Sequence, residues 1–547
     1  MSALVPSGAL SDVEIRRWLR IGALHALFSS LALVTWCLPA CLKSGLWSAL
    51  LAPLSASFWA GFSLFLVAQL LFLASFRTVA EPEHSPGIEA QELLQLLTSS
   101  SLSVILGAPK EKVKQLDGGW RKLAISARRT VFLLLVAASG ALSVLGVGLL
   151  RLGASQTDVR WAIQFGAGLG LLYAAQVLLS QHYVLRFPPI QRPWYQRLKL
   201  ALRPAASLSL SVTTAALIFW ELLNRVHPSS AARIGSFLER ALLSAMVGTL
   251  TAFCWELGRS VARIILTERH YFTPPPGTIS TETAPADALL TALRNPKPLA
   301  RHLAFLDLCY VAERSVDKWR RAAFFRDETG TSYKKVIDLC LEPVEGVIEG
   351  AKLAVGGGNG RGGSGTRPGE FQLQMGAAAR ETKRRGGDPE EILRDLQICA
   401  WGARAASSLT AASRKEDSFG VAQLTSSNPR VVSTLLSALL AIETVQKAGL
   451  FFTRNGGFIS GFLRPLVNPG ASFSRVAYAP SAALALGDVI RVSLHVITEE
   501  FAGEMLVFRP GSGPVLDDRD WLPAGSPAFG TRAAHVEKLR AILDFRE

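Results

Sequence analysis

Residues 130–150 read TVFLLLVAASGALSVLGVGLL and carry no charge. A helix rises about 1.5 Å per residue, so a run of this length crosses the ~30 Å hydrocarbon core of a bilayer. Backbone amides in lipid find no water, and such a run must pair them internally, as a helix. Working outward, further apolar runs lie at 21–42, 54–76, 161–185, 204–220 and 241–257. The last holds Glu256 and is the weakest. The sequence therefore predicts an all-α, polytopic membrane protein with about six transmembrane helices within residues 1–270.

Composition agrees with that division. The 547 residues are 49% hydrophobic and only 18% charged, against about 25% charged in ordinary soluble chains. Net charge is +15, which admits either a nucleic-acid binder or a membrane protein with a basic cytosolic side. The Lys and Arg residues flank the apolar runs and form no continuous patch, which favours the membrane reading and attraction to anionic lipid. Nineteen of them lie on one side of the runs and six on the other, so both termini are expected to face the cytosol. The first run is too long for the core of a cleaved signal peptide, and no small-x-small cleavage site follows it. Trp36, Trp47, Trp161, Trp220 and Trp255 fall near run ends and are expected at the headgroup level, where amphipathic indoles settle.

The run interiors argue for packing and against transport. Ionisable groups at mid-membrane depth usually mark a pathway. Here Glu221 and Glu256 are expected near opposite faces, unable to share a site. Gln69, Gln164 and Gln176 are placed where they could bond between helices, and Gly166-Ala-Gly-Leu-Gly170 makes a small-residue stripe that admits a close neighbour. In the loop 77–129, Glu89 to Leu106 has helical apolar spacing and Trp120 to Arg129 is basic, which suits either anionic headgroups or a solvated loop helix.

Beyond the runs, the Pro-rich stretch 271–298 reads as a linker and 299–547 as a mainly helical soluble domain. Leu299, Leu303, Leu306 and Tyr310 share one helical face. A turn at Asp327–Gly330 precedes a helix expected from Tyr333 to Ile348. Residues 355–387, rich in Gly, Arg and Ser, bury too little apolar surface to offset ordering and are expected to be disordered. Asn428-Pro429 opens a helix that should stop at Gly449. Leu486, Ile490, Leu494, Ile497, Phe501 and Met505 form another apolar stripe. The six cysteines include no CxxC pair and read as buried thiols. His302 and Asp307 have the H-x-x-x-x-D spacing of glycerolipid acyltransferases. Five positions along one helix diverge by about 140°, so the two should not meet. No cofactor, metal, small-molecule substrate or nucleic acid is implied.

Residues 299–341, LARHLAFLDLCYVAERSVDKWRRAAFFRDETGTSYKKVIDLCL, together with six runs, short lumenal loops and a helical C-terminal half, resemble the nuclear division cycle protein 1 family of transmembrane nucleoporins. The resemblance rests on Phe305, Arg320, Arg321, Phe324, Tyr333, Cys340 and Leu341. It implies a non-enzymatic structural anchor of the nuclear pore complex in the nuclear envelope, supporting pore assembly and so protein and mRNA transport. Its implied partners are other nucleoporins, from the pore membrane and the inner-ring scaffold, and membrane lipids. Leu299, Leu303, Phe305, Leu306, Tyr310, Phe324, Tyr333, Cys340 and Leu341 are the expected core or partner-binding positions.

Overall fold

The computed structural model describes residues 7–43, 55–82, 119–152, 156–226, 234–274, 286–356, 395–447, 478–508, 514–516, 521–523 and 525–544. The chain divides into two compact units. One is built on Ser7–Glu268, the other on Arg269–Asn455 and Phe473–Glu547.

The first unit consists of α1 (Ser7–Lys43), α2 (Ala56–Val79), α3 (Gly119–Leu152), α4 (Gln156–Leu179), α5 (Trp194–Val226) and α6 (Ile234–Leu266). All six are long and apolar enough to cross a membrane, the qualifying stretches running from Asp12–Trp36 to Ala241–Leu266. Several helices depart from the expected runs. Helix α4 ends at Leu179 instead of continuing to 185, because Gln181 takes a positive φ of 53°. Helix α5 begins ten residues before Pro204, with that proline inside it; membrane helices tolerate such a proline because neighbours can satisfy the freed backbone groups. Helix α3 begins at Gly119, so the basic stretch Trp120–Arg129 prolongs that helix. Glu89–Leu106 lies outside the described residues.

Helix α3 packs against both α2 and α4, α5 packs against α6, and α1 packs against α6 and α2. The expected glycine stripe explains the α3–α4 contact. A Cβ at Gly166 would meet the carbonyl oxygen of Gly140, and one at Gly170 that of Val136. Gly168, between them, faces open space. Two of the three glycines thus let the backbones touch. Gln69 donates to Ser143 Oγ at 3.1 Å and Ser139 Oγ to the Ala68 carbonyl at 2.7 Å, tying α2 to α3.

The second unit contains α7 (Asp287–Leu293), α8 (Pro298–Glu313), a 3-10 turn at Ser315–Asp317, α9 (Lys318–Ala322), a second 3-10 turn at Ala323–Phe325, α10 (Thr331–Gly356), α11 (Leu396–Glu416), α12 (Val421–Leu424), α13 (Ser427–Lys447), α14 (Tyr478–Met505) and α15 (Arg532–Asp544). One small antiparallel pair, Leu506–Phe508 with Pro514–Leu516, follows α14. Helix α8 was expected to bury a single stripe. Every residue from His302 to Ala312 is buried instead, because α7, α9 and α11 pack around it. Within 271–298, expected as a linker, Phe272 is buried and α7 buries Leu289, Ala292 and Leu293.

Helix α10 starts two residues before Tyr333. Asp327 accepts from the Thr329 and Ser332 amides at 3.1 and 3.2 Å, and Gly330 supplies the φ of +69° that closes the turn. Helix α13 starts at Ser427, one residue before Asn428. The expected apolar stripe of α14, from Leu486 to Met505, is buried. Most of the Gly-rich segment 355–387 lies outside the described residues, as does the expected stop at Gly449; Val355 and Gly356 belong to α10.

Candidate functional site

The chain leaves α6 at Leu266, and three residues later it enters an ionic lock in the second unit. Asp307 sits in the middle of the apolar α8 and is fully buried. A carboxylate there survives only with charged partners and filled lone pairs. Arg269 Nε donates to its Oδ1 at 2.9 Å, and Arg320, from α9, donates to Oδ1 at 3.2 Å and Oδ2 at 2.6 Å. The Phe272 amide adds 3.1 Å to Oδ2, and Arg320 also donates to the Phe272 carbonyl at 3.2 Å. Arg269 reaches Asp317 at 2.9 Å and lies over the rings of Tyr271 and Tyr310, 4.4 and 4.8 Å from their centroids. Burial opposes the Arg269 charge, but Asp317 and Asp307 outweigh it and hold its pKa above the ordinary value. One aspartate thus fastens the segment after the last helix of the first unit to α8 and α9.

Two further clamps brace the same element. Arg321 donates to Glu416 at 2.9 and 2.5 Å and to the Ala312 carbonyl at 2.7 Å. Arg404 grips Glu313 with two bonds of 2.7 Å. Planar guanidinium–carboxylate pairs of this kind fix direction as well as distance.

In the first unit, the C-terminal carbonyls of α6 are capped from two other helices. Arg17 donates to the carbonyls of Ile265, Leu266 and Glu268 at 3.1, 2.9 and 2.8 Å. Arg197 reaches Ile264 O at 3.2 Å and Thr267 Oγ1 at 2.7 Å. Cations at a helix C-terminus satisfy orphan carbonyls and complement the dipole. Glu256 corrects the expectation of uncharged span interiors and its own placement at a helix end. It lies well inside α6, is 1% exposed, pairs with Arg259 and accepts from Tyr173 Oη at 2.9 Å. The three groups satisfy one another, as a packing clamp does.

The expected site residues fall into the core. Leu303, Phe305, Leu306, Tyr310, Phe324, Tyr333, Cys340 and Leu341 are buried, with Leu299 half-buried. Of these, Tyr310 touches the lock directly, its ring 4.8 Å from the Arg269 guanidinium. Trp255 is not at a membrane interface. It is fully buried, stacked on Phe72 with centroids 5.5 Å apart, and 5.0 Å from Tyr173. Trp161 stacks on Phe165 at 5.9 Å, and Trp220 meets that ring edge-on at 6.5 Å. Trp36 is half-buried and Trp47 lies outside the described residues. A collar that the run boundaries hid occupies the start of α5, where exposed Trp194 and Tyr195 accompany exposed Arg192, Lys199 and Arg203.

His302 and Asp307 do not meet. His302 Nδ1 contacts the Pro298 carbonyl at 2.8 Å, and Asp307 is committed to its arginines. Among the described residues no group of three or more His, Cys, Asp or Glu is placed to hold a metal ion. The lock itself was missed, although its signal was present. A lone Asp within LAFLDLCYVA must be buried, and a buried charge requires a partner.

No curated protein matches the chain. The profile of the family described as Nucleoporin protein Ndc1-Nup matches residues 162–350, from α4 to near the end of α10. That stretch contains the capped end of α6 and the lock. The family is one of structural nucleoporins of the pore membrane and not of enzymes, and over this stretch the chain is similar to it.

Proposed function

We propose that this protein anchors the nuclear pore complex in the pore membrane. On this reading the six apolar helices hold the chain in the bilayer. The helical second unit presents its outer surface to scaffold nucleoporins of the pore membrane and inner ring, and so supports pore assembly. Both termini lie on the cytosolic or nucleoplasmic side, the side of the basic flanks. The observation that carries the reading is the family match, which begins in a membrane-length helix and ends in the soluble helices. The lock of Arg269, Asp307 and Arg320 fits a load-bearing role, because it joins the segment after α6 to the core of the second unit by buried, bidentate bonds. Anionic lipids are the second expected partner, through the α5 collar.

A tagged full chain should give a punctate nuclear rim. A chain ending at Thr273 should insert in the endoplasmic reticulum yet concentrate poorly at pores. Uniform reticular or plasma-membrane staining of the full chain would overturn the reading. Normal pore targeting of the truncated chain would remove the second unit from it.

A further inference from the structure

The turn that joins α8 to α9 alternates sharply between inside and outside. Asp317 is buried and bound to Arg269. Its neighbour Val316 is 83% exposed, and Trp319 is 54% exposed. Residues three apart in a tight helical turn lie on one face, so the two apolar side chains project together. Exposed Arg314, whose guanidinium lies 4.1 Å from the Tyr310 centroid, and Lys318, two-thirds exposed, stand beside them. Tyr271, stacked on Arg269, is 58% exposed. Lys318 stands 4.0 Å from Glu416 Oε1, a contact long enough to leave its ammonium open to a second anion. An aromatic and a valine flanked by two cations form a poor water-facing surface and a good headgroup-facing one. Arg269 follows Leu266 by three residues, a leash of at most about 10 Å.

We propose that the Arg314–Trp319 turn is a wedge that enters the headgroup layer of an anionic bilayer, with Val316 and Trp319 among the upper acyl carbons and Arg314 and Lys318 on lipid phosphates. This rests on the reading of the six helices as membrane spans. The wedge gives the second unit a direct hold on the membrane besides its covalent link, and the Arg269–Asp317 bond transmits that hold to the lock.

The test uses the full chain carrying Val316→Cys, labelled with an environment-sensitive fluorophore and reconstituted in phosphatidylcholine vesicles with or without phosphatidylserine. The unsubstituted chain, labelled in parallel, gives the background; Cys254, Cys309, Cys340 and Cys399 are buried. Leu424→Cys, at a similarly exposed site on α12, is the control. In vesicles with phosphatidylserine, nitroxide lipid should quench the label at 316 and aqueous iodide should not, with the reverse at 424. Arg314→Glu and Lys318→Glu should each weaken the phosphatidylserine-dependent response about fivefold. Free quenching by iodide at 316, equal behaviour of the two sites, or protection of 316 only when another protein is added would each overturn the wedge. Resistance of the chain to alkaline extraction reports separately on the spans, so loss of the wedge and loss of membrane integration are told apart.

Discussion

Asp307→Ala isolates the lock. The substitution removes the acceptor of four hydrogen bonds, three from arginines and one from the Phe272 amide. Breaking a buried ion pair by deleting one partner costs about 3–5 kcal/mol, since the other charge stays buried. Arg269 keeps Asp317 and Arg320 keeps the Phe272 carbonyl, which places the cost near the low end, about 3 kcal/mol. For a unit of this size that corresponds to a midpoint roughly 6–12 °C lower. Pulse alkylation reads it directly. Cys309 lies on α8 and is buried, and burial pushes its thiol well above the ordinary range, so it reacts only when the helix comes loose. Heating the purified full chain in detergent and quantifying the Cys309 peptide gives the midpoint. Replacing the pair by Asp307→Leu with Arg320→Met should recover much of the loss, because no charge is then stranded. An unchanged midpoint for Asp307→Ala would refute the claim that this carboxylate holds the unit together.

Other expectations follow from the same geometry. Gly166→Ala should force α3 and α4 apart and lower the detergent melting temperature of the first unit, whereas Gly168→Ala should leave it unchanged; equal effects would remove the close-packing argument. Glu256→Ala strands Arg259 and should destabilise that unit by about 3–5 kcal/mol, read by thermal aggregation in detergent. His535 Nε2–H donates to Phe529 O at 3.0 Å; burial lowers its pKa, with the Phe529 contact opposing. Its unfolded form therefore takes up a proton first, and stability should fall as pH drops below about 6.5. His535→Gln should flatten that slope. A soluble piece beginning at Arg269 should melt higher by circular dichroism than one beginning at Ala288, which lacks Arg269 and Phe272 of the lock.

The membrane half was legible because lipid imposes a rule that acts on every residue of a span. Uncharged runs of the right length, flanked by Lys and Arg, leave few alternatives. The helical character of the second unit was legible from periodicity, caps and the turn at Asp327–Gly330, all of which are local. The glycine stripe announced a close approach, but which of its glycines faces a neighbour depended on the rotation of α4 against α3. Helix ends were blurred where amphipathic ends continue a span, as at Trp194–Arg203 of α5. The family resemblance pointed to Arg320 without indicating its partner.

Tertiary structure alone decided how the charges are used. Asp307, Arg269 and Arg320 are separated by up to 51 positions, and hydrophobic periodicity says nothing about pairing over such distances. Trp255 had the sequence address of an interface anchor and became the interior partner of Phe72 and Tyr173, because α6 runs on past it to Leu266. Glu256, for the same reason, sits deep in its helix beside Arg259. A span's existence follows from composition, whereas its length, its rotation and the partners of its few charges follow from which helices pack against it.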